Sequence, residues 1–356
     1  MKTVFCLFFV FAACLVFGQD SIADYTLQNS AGTTYVCKST IRKSTVRKST
    51  TAQINAANST PQQHVEKWIK YDNNPVLGGD DLGTIFDISV IKEDNTYIMY
   101  SSWRSQKSLA LSKSKDGKQW SKPQIILTPN PKNEWETNIN RPCILKKDGI
   151  YHLWYTGQTN DNSQIGYATS ADGINFTRRS NKPVLKAEKT WEKVAVMCPH
   201  VNWDNETGEF KMWYSGGEQY EPNAIGYATS KDGLQWKKYD QNPIFKADPN
   251  NKWEQHKVTA CQVIKRKNDY LMFYIGFQDE HFAQIGMAKS SDGIKNWTRY
   301  KTNPIIAPTP KEWDADACYK PFAIQENNKW LLWYNGRNKE LERIGLAIFN
   351  NNDLGF

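Results

Sequence analysis

A chain of 356 residues, 39% hydrophobic and 23% charged, is long enough to build a sizeable core. Its longest apolar run, at the N-terminus, is too short to span a bilayer comfortably. Half of the formal charge of +8 sits in residues 1–50, which hold six basic groups against two acids; the remainder is mildly basic with interleaved carboxylates and no long basic stripe, which argues against nucleic acid as a partner.

The N-terminus reads as a processing signal. Lys2 is followed by the apolar stretch from Val4 to Phe17, and Val16-Phe17-Gly18 precedes Gln19, so residues 1–18 are expected to be a signal peptide and the protein to be secreted and extracellular. A lipid anchor at Cys14 is the competing reading, and Phe11 fits it poorly. Residues 19–63 turn to Ser, Thr, Ala, Asn and Gln, with the echo Lys38-Ser-Thr, Lys43-Ser-Thr, Lys48-Ser-Thr, and read as a low-complexity tether. Past the signal remain Cys37, Cys143, Cys198, Cys261 and Cys318, an odd number without zinc-type spacing, read as buried core cysteines. Asn58, Asn175, Asn205 and Asn296 stand in N-x-S/T sequons, which fits a glycoprotein.

From residue 64 the chain repeats itself every 56 to 60 residues. Ile165-Gly-Tyr-Ala-Thr-Ser-Ala-Asp172-Gly returns at Ile225 and Ile285, with Leu109 opening a first copy and Ile344 a fifth. Each copy is preceded by an aromatic strand: Tyr97–Tyr100, Tyr151–Tyr155, Phe210–Tyr214, Tyr270–Tyr274 and Trp330–Tyr334. Further apolar runs on either side bring the count to four short strands per repeat, with Asp-Gly turns between strands. This predicts an all-β fold over 64–356, a five-bladed β-propeller with four-stranded blades. The last copy lacks its outer strand, while Trp68–Leu77 stands alone at the start, so the ring is expected to be closed by the N-terminal strand.

In a repeat, features common to all copies serve the scaffold and departures from the pattern can serve a site. The recurring pairs Trp135-Glu136, Trp191-Glu192, Trp253-Glu254 and Trp313-Asp314 are therefore assigned to structure. Aligned on the aromatic strand that follows, the inner strands place Asp87, Arg141, Cys198, Ala260 and Lys320 at one equivalent position, converging on the axis. Charges there are either paired or used, and an Asp87–Arg141 ion pair that only plugs the axis is the structural alternative. His200 adds a titratable group nearby, unless it is a satisfied core residue. The hairpins on that face diverge as well, and carry Trp103, Arg104, Glu218, Glu221, Asp279 and Arg337.

Asn74-Pro-Val-Leu77, Asp87, Asp148-Gly-Ile-Tyr-His-Leu-Trp-Tyr155 and the repeated Ile-Gly-Tyr-Ala-Thr-Ser-x-Asp-Gly resemble the five-bladed propeller glycosidases of the arabinanase, levansucrase and invertase superfamily, including glycoside hydrolase families 43 and 32. That resemblance implies Asp87 as base or nucleophile, a second Asp on the second blade and a Glu acid on the third. Here Arg141-Pro142 and Cys198-Pro199-His200 stand at those inner strands, leaving Glu221, or Glu218 on the same hairpin, as the candidate acid. Asp87 beside Arg141 is expected to be ionised.

Trp103, Arg104, Arg141, His200, Glu218, Asp279, Lys320 and Arg337 are the expected substrate-binding residues, the basic ones forming an anion subsite. The leading expectation is a secreted glycoside hydrolase using a carboxylate pair in the funnel. A non-catalytic carbohydrate-binding propeller and an inverting glycoside phosphorylase are the alternatives. No cofactor is expected, with room left for a structural calcium ion. The expected partner is an oligo- or polysaccharide, neutral or anionic, met by a monomer without a membrane span.

Overall fold

The computed structural model describes residues 23–28, 34–39, 67–79, 81–220 and 222–356, the first two segments by backbone alone. The expected signal peptide, much of the expected tether, and Glu221 lie outside the described residues. The chain divides between Gln63 and His64 into two compact units. In the N-terminal unit, β1 (Ala23–Gln28) pairs antiparallel with β2 (Thr34–Ser39), a ribbon not expected from the composition. Locally the sequence supports it, because Tyr25 and Thr26 stand opposite Cys37 and Val36, mostly β-formers.

The second unit opens with β3 (Ile69–Lys70) and continues as antiparallel meanders. The first meander is β4 (Ile85–Glu93), β5 (Thr96–Trp103), β6 (Ser108–Ser114) and β7 (Gln124–Leu127). The next is β8 (Asn138–Lys147), β9 (Ile150–Gln158), β10 (Ser163–Ser170) and β11 (Thr177–Arg178). The third comprises β12 (Ala195–Asp204), β13 (Glu209–Gly217), β14 (Pro222–Ser230), β15 (Lys237–Lys238) and β16 (Phe245–Lys246). The fourth is β17 (Lys257–Lys265), β18 (Tyr270–Phe277), β19 (Ala283–Ser290) and β20 (Thr298–Arg299). β21 (Ala317–Glu326), β22 (Lys329–Asn338) and β23 (Leu341–Phe349) form the fifth, and β3 pairs with β23, Lys70 opposite Ala347. Among the described residues these strands group into sheets of four, nine and eight strands, in open order.

The first strand of each meander breaks register once: at Phe86/Ser89, Asn140/Cys143, Met197/His200, Thr259/Cys261 and Tyr319/Phe322. Inside these bulges Asp87, Arg141, Cys198, Ala260 and Lys320 take left-handed backbone angles, with φ between 34° and 56°. Non-glycine residues hold that conformation at a cost, and a bulge re-aims side chains. Most of the bulged N–H groups are tied to the meander before. Arg141 donates to Ser102 Oγ (2.8 Å), Cys198 to Thr156 Oγ1 (3.1 Å) and Ala260 to Ser215 Oγ (2.8 Å). Asp87 donates to Asn335 Oδ1 of the fifth meander (3.1 Å).

A second series of ties runs the other way. Tyr100 Oη donates to the carbonyl of Gly173 (3.0 Å), Trp154 Nε1 to Gly233 (3.1 Å) and Trp213 Nε1 to Gly293 (2.8 Å), each an Asp-Gly turn of the next meander. Trp333 Nε1 of the fifth reaches Gly117 of the first (2.8 Å).

The Trp-acid pairs form clasps. Glu136, Glu192, Glu254 and Asp314 are wholly buried. They accept the hydroxyls of Tyr155, Tyr214, Tyr274 and Tyr334, at 2.7 to 3.0 Å. Each also meets a cation from an outer strand: Arg178, Lys238, Arg299 and, on β3, Lys70. Burial first, then a neighbouring acid group, pushes the phenol pKa of all four tyrosines upward. The tryptophans explain the glycines of the repeat: a Cβ on Gly166 would lie 2.4 Å from the Tyr155 ring and 2.7 Å from Trp135. Asn74 brackets Leu346 through both its amide atoms, as Asn242 does Tyr227 and Asn303 does Met287. The segment before β4 thus completes the fifth meander as an outer strand would.

Cys143, Cys198, Cys261 and Cys318 are buried free thiols. Burial raises the pKa of Cys143 to about 11.

Candidate active site

The bulges of the inner strands and the hairpins between second and third strands open on one face, where they enclose a cavity of about 210 Å³. The bulge of β4 turns Asp87 into it and that of β8 turns in Arg141; the guanidinium Nε stands 3.3 Å from Asp87 Oδ2. Arg141 is further fixed by the Asn140 amide oxygen at 2.7 Å and that of Gln158 at 3.3 Å. Burial opposes its charge, but Asp87 together with Cys198, Glu342 and Tyr319 outweighs it and the pKa of Arg141 is raised.

A second carboxylate borders the same cavity. Glu342, near the start of β23, is 7% exposed. One oxygen accepts Arg104 Nη2 at 2.7 Å, across from the first meander to the fifth. Its Oε2 is buried without a hydrogen-bond partner. Burial and the adjacent Glu342 push the phenol of Tyr319 well above its usual pKa, and Asp87 adds to the effect. Tyr319 therefore stands as a protonated donor beside two acids. Arg337 completes the rim, held by the His281 carbonyl at 2.9 Å. Three guanidinium groups face two carboxylates, so the cavity has spare positive charge for an anion.

Two side cavities share these walls. One of about 360 Å³ includes Trp103, Tyr220, Arg104 and Arg141; another of about 640 Å³ includes Asp279, Arg104, Arg337 and Glu342.

The structure thus brings together Asp87, Arg104, Arg141 and Arg337, and sets Trp103 and Asp279 on flanking cavities. Asp279 is occupied in capping its own hairpin through the N–H groups of His281 and Phe282. Glu218 is exposed and bonded to Lys193 at 2.9 Å, which lowers its pKa, the opposite of what a proton donor requires. His200 does not line this cavity. It borders a separate one of about 340 Å³, bonds the Val263 carbonyl at 2.9 Å, and is pushed down to about 4 by burial. Lys320 is buried and off the cavity wall, where its charge acts on Cys143, Cys198, Cys261 and His200. His200 stands just past the bulge of its strand, where pairing resumes, and faces the other cavity, whereas Lys320 shares the bulge place of Asp87 and Arg141 and the bulge alone does not set its position.

Glu342 and Tyr319 went unnoticed in the sequence. The departure-from-repeat test finds Glu342 when applied to the third strands: Lys107, Ser163, Asn223, Ala283 and Glu342 share the place two residues before Leu109, Ile165, Ile225, Ile285 and Ile344. Among the described residues, no group of three or more His, Cys, Asp or Glu side chains is placed to hold a metal ion, and no helix is long and apolar enough to cross a membrane.

Residues 160–353 match the family profile of glycoside hydrolase family 130, described as beta-1,4-mannooligosaccharide phosphorylase. A 1,2-beta-oligomannan phosphorylase of Thermoanaerobacter sp. (strain X514) is 27% identical over 241 residues, 64% of this chain and 75% of the relative. A thermostable family-43 glycoside hydrolase superposes with a TM-score of 0.62 at 18% identity, covering 77% of this chain and 91% of the other. A structure reported for "The GH130 family of mannoside phosphorylases contains glycoside hydrolases that target beta-1,2 mannosidic linkages in Candida mannan" superposes with a TM-score of 0.63 at 15% identity, covering 83% and 97%. With its profile matched from inside the second meander almost to the C-terminus, the chain belongs to glycoside hydrolase family 130.

Proposed function

We propose that this chain is an inverting phosphorylase of mannosides, working in the cavity between Asp87 and Glu342. The meanders would be the blades of a five-bladed propeller closed by β3. Two series of ties and the clasps support this, since each has a member joining the fifth meander to the first or to β3.

The observation that carries the chemistry is the surplus of arginine. Phosphorolysis needs one carboxyl and a held phosphate, and Arg104, Arg141 and Arg337 border one cavity with the acids. A phosphate oxygen bonds to the anomeric carbon as the glycosidic C–O bond breaks. The proton carried in by the hydrogen phosphate passes through Asp87, ionised beside Arg141 until then, to the leaving oxygen, and the sugar departs as its 1-phosphate. The family description and the Thermoanaerobacter relative agree with a mannoside substrate.

Hydrolysis is the second reading, favoured by two carboxylates on the same cavity. Asp87 would then be base or nucleophile and Glu342 the acid, a role the sequence offered to Glu221, which lies outside the described residues. In either reading the protein is exported and monomeric.

Incubating the purified protein with β-1,2- and β-1,4-mannobiose, with and without orthophosphate, tests the proposal. Mannose 1-phosphate formed only with phosphate supports phosphorolysis, free mannose without phosphate supports hydrolysis, and saturable binding without either product leaves a binding protein.

A further inference from the structure

The wall of the cavity changes character at the fourth meander. Register places Ser102, Thr156, Ser215, Ile275 and Asn335 at one equivalent site on the second strands, and Arg104, Gln158, Gly217, Phe277 and Arg337 two residues on. Only the fourth meander answers with large apolar side chains at both. At the bulge it carries Ala260 against Asp87, Arg141 and Lys320, and on the third strand Ala283 against Ser163 and Glu342. Ala260, Ile275, Phe277 and Ala283 all line the cavity and are at most 7% exposed. Ala317 of the fifth meander extends the patch. Thr259 is its one hydroxyl among the described residues, and that hydroxyl has no hydrogen-bond partner.

A fully hydroxylated sugar fits such a wall badly. Its ring faces need contact with C–H groups, but a hydroxyl turned toward Ile275 and Ala283 would lose its water without gaining an acceptor. Four departures toward apolar residues within one meander, at positions that are mostly polar elsewhere in the repeat, match a ligand that presents a methyl group on this side and hydroxyls or an anion to Glu342 and the arginines. Resting on the mannoside reading above, we infer that the preferred glycoside carries a methyl group on the edge facing Ile275, Phe277 and Ala283, either the C5 methyl of a 6-deoxyhexose or that of an acetyl ester.

The gain expected from seating one such group in an apolar pocket is about 10- to 200-fold in affinity. The test is calorimetric titration of the full chain with methyl β-mannoside, its 6-deoxy counterpart and its 6-O-acetyl ester, run beside the phosphate-dependent turnover assay. Tighter binding of either methyl-bearing sugar by tenfold or more supports the inference and tells which source it is. Ile275→Thr and Ala283→Ser, which put back the residue types of the second meander (Thr156 and Ser163), should each shrink that preference. A thermal melt confirms that each is folded. Equal or tighter binding of the plain mannoside overturns the inference while turnover leaves the mannoside reading standing, and a methyl-selective protein without turnover overturns that reading alone. Failure of all three sugars to bind overturns both.

Discussion

Two sets of buried carboxylates occupy this protein, and they differ in what remains open around them. Glu136, Glu192, Glu254 and Asp314 are each closed by a tyrosine hydroxyl and a cation of their own meander or, for Asp314, of β3. Asp87 and Glu342 also meet cations, but theirs come from other meanders, and both border a cavity, with one Glu342 oxygen lacking a partner. Repetition and closure mark the first set as scaffold; singular placement and an unfilled hydrogen bond mark the second as a site.

The sharpest way to break this comparison is within a clasp. Glu192 takes two backbone N–H groups, Tyr214 and Lys238, so Glu192→Ala strips all four of their buried acceptor and leaves the enclosed ammonium only the exposed Glu188 at 3.6 Å and the Lys186 carbonyl. We expect a loss of about 3–5 kcal/mol in urea unfolding. If the same change cost nothing in stability and abolished turnover, the division into scaffold and site would fail. Lys70→Met should cost less, about 1–3 kcal/mol, because Lys70 is partly exposed while Asp314 keeps Tyr334. Its β3 amides should then exchange faster with solvent.

On the other side of the comparison, Glu342→Gln keeps the shape of the side chain but removes the charge facing Arg104 and Tyr319. We expect kcat/KM to fall by about tenfold or more, with a smaller loss of stability than in Glu192→Ala. At neutral pH the smallest effect belongs to His200. Its folded pKa of about 4 lies below the ordinary 6.5. Between those values the unfolded chain binds a proton that the folded chain refuses, so stability falls as pH drops through this window, by at most about 1.4 kcal/mol per pH unit. His200→Gln should flatten that slope and leave stability above pH 6.5 without a His200 titration. Asp204, pushed down to about 2 chiefly by its bond to Lys211 against the cost of burial, loses its contribution in a more acid window and will not be confused with it.

Much of this was legible in the sequence because a repeat exposes its own alignment. Strand order within each meander, the equivalence of Asp87 with Arg141, and the partnership of the Asn74 segment with the last copy all come from counting between aromatic strands. Bulges were not legible, since they depend on backbone angles that Asp, Arg, Cys, Ala and Lys rarely adopt. They turn Asp87 and Arg141 into the cavity, whereas Lys320 in the same kind of bulge stays off its wall and His200, just past one, borders a different cavity. Glu342 is legible only where the third strands are compared copy by copy as the inner strands are.

The most direct test of the site is orthophosphate-dependent release of sugar by the intact protein and by Asp87→Asn, with unfolding midpoints measured on the same samples. We expect sugar 1-phosphate from the wild type and a loss of about 10²- to 10⁴-fold in the variant at nearly unchanged midpoint. Undiminished phosphorolysis by folded Asp87→Asn would contradict the assignment of this cavity's acid.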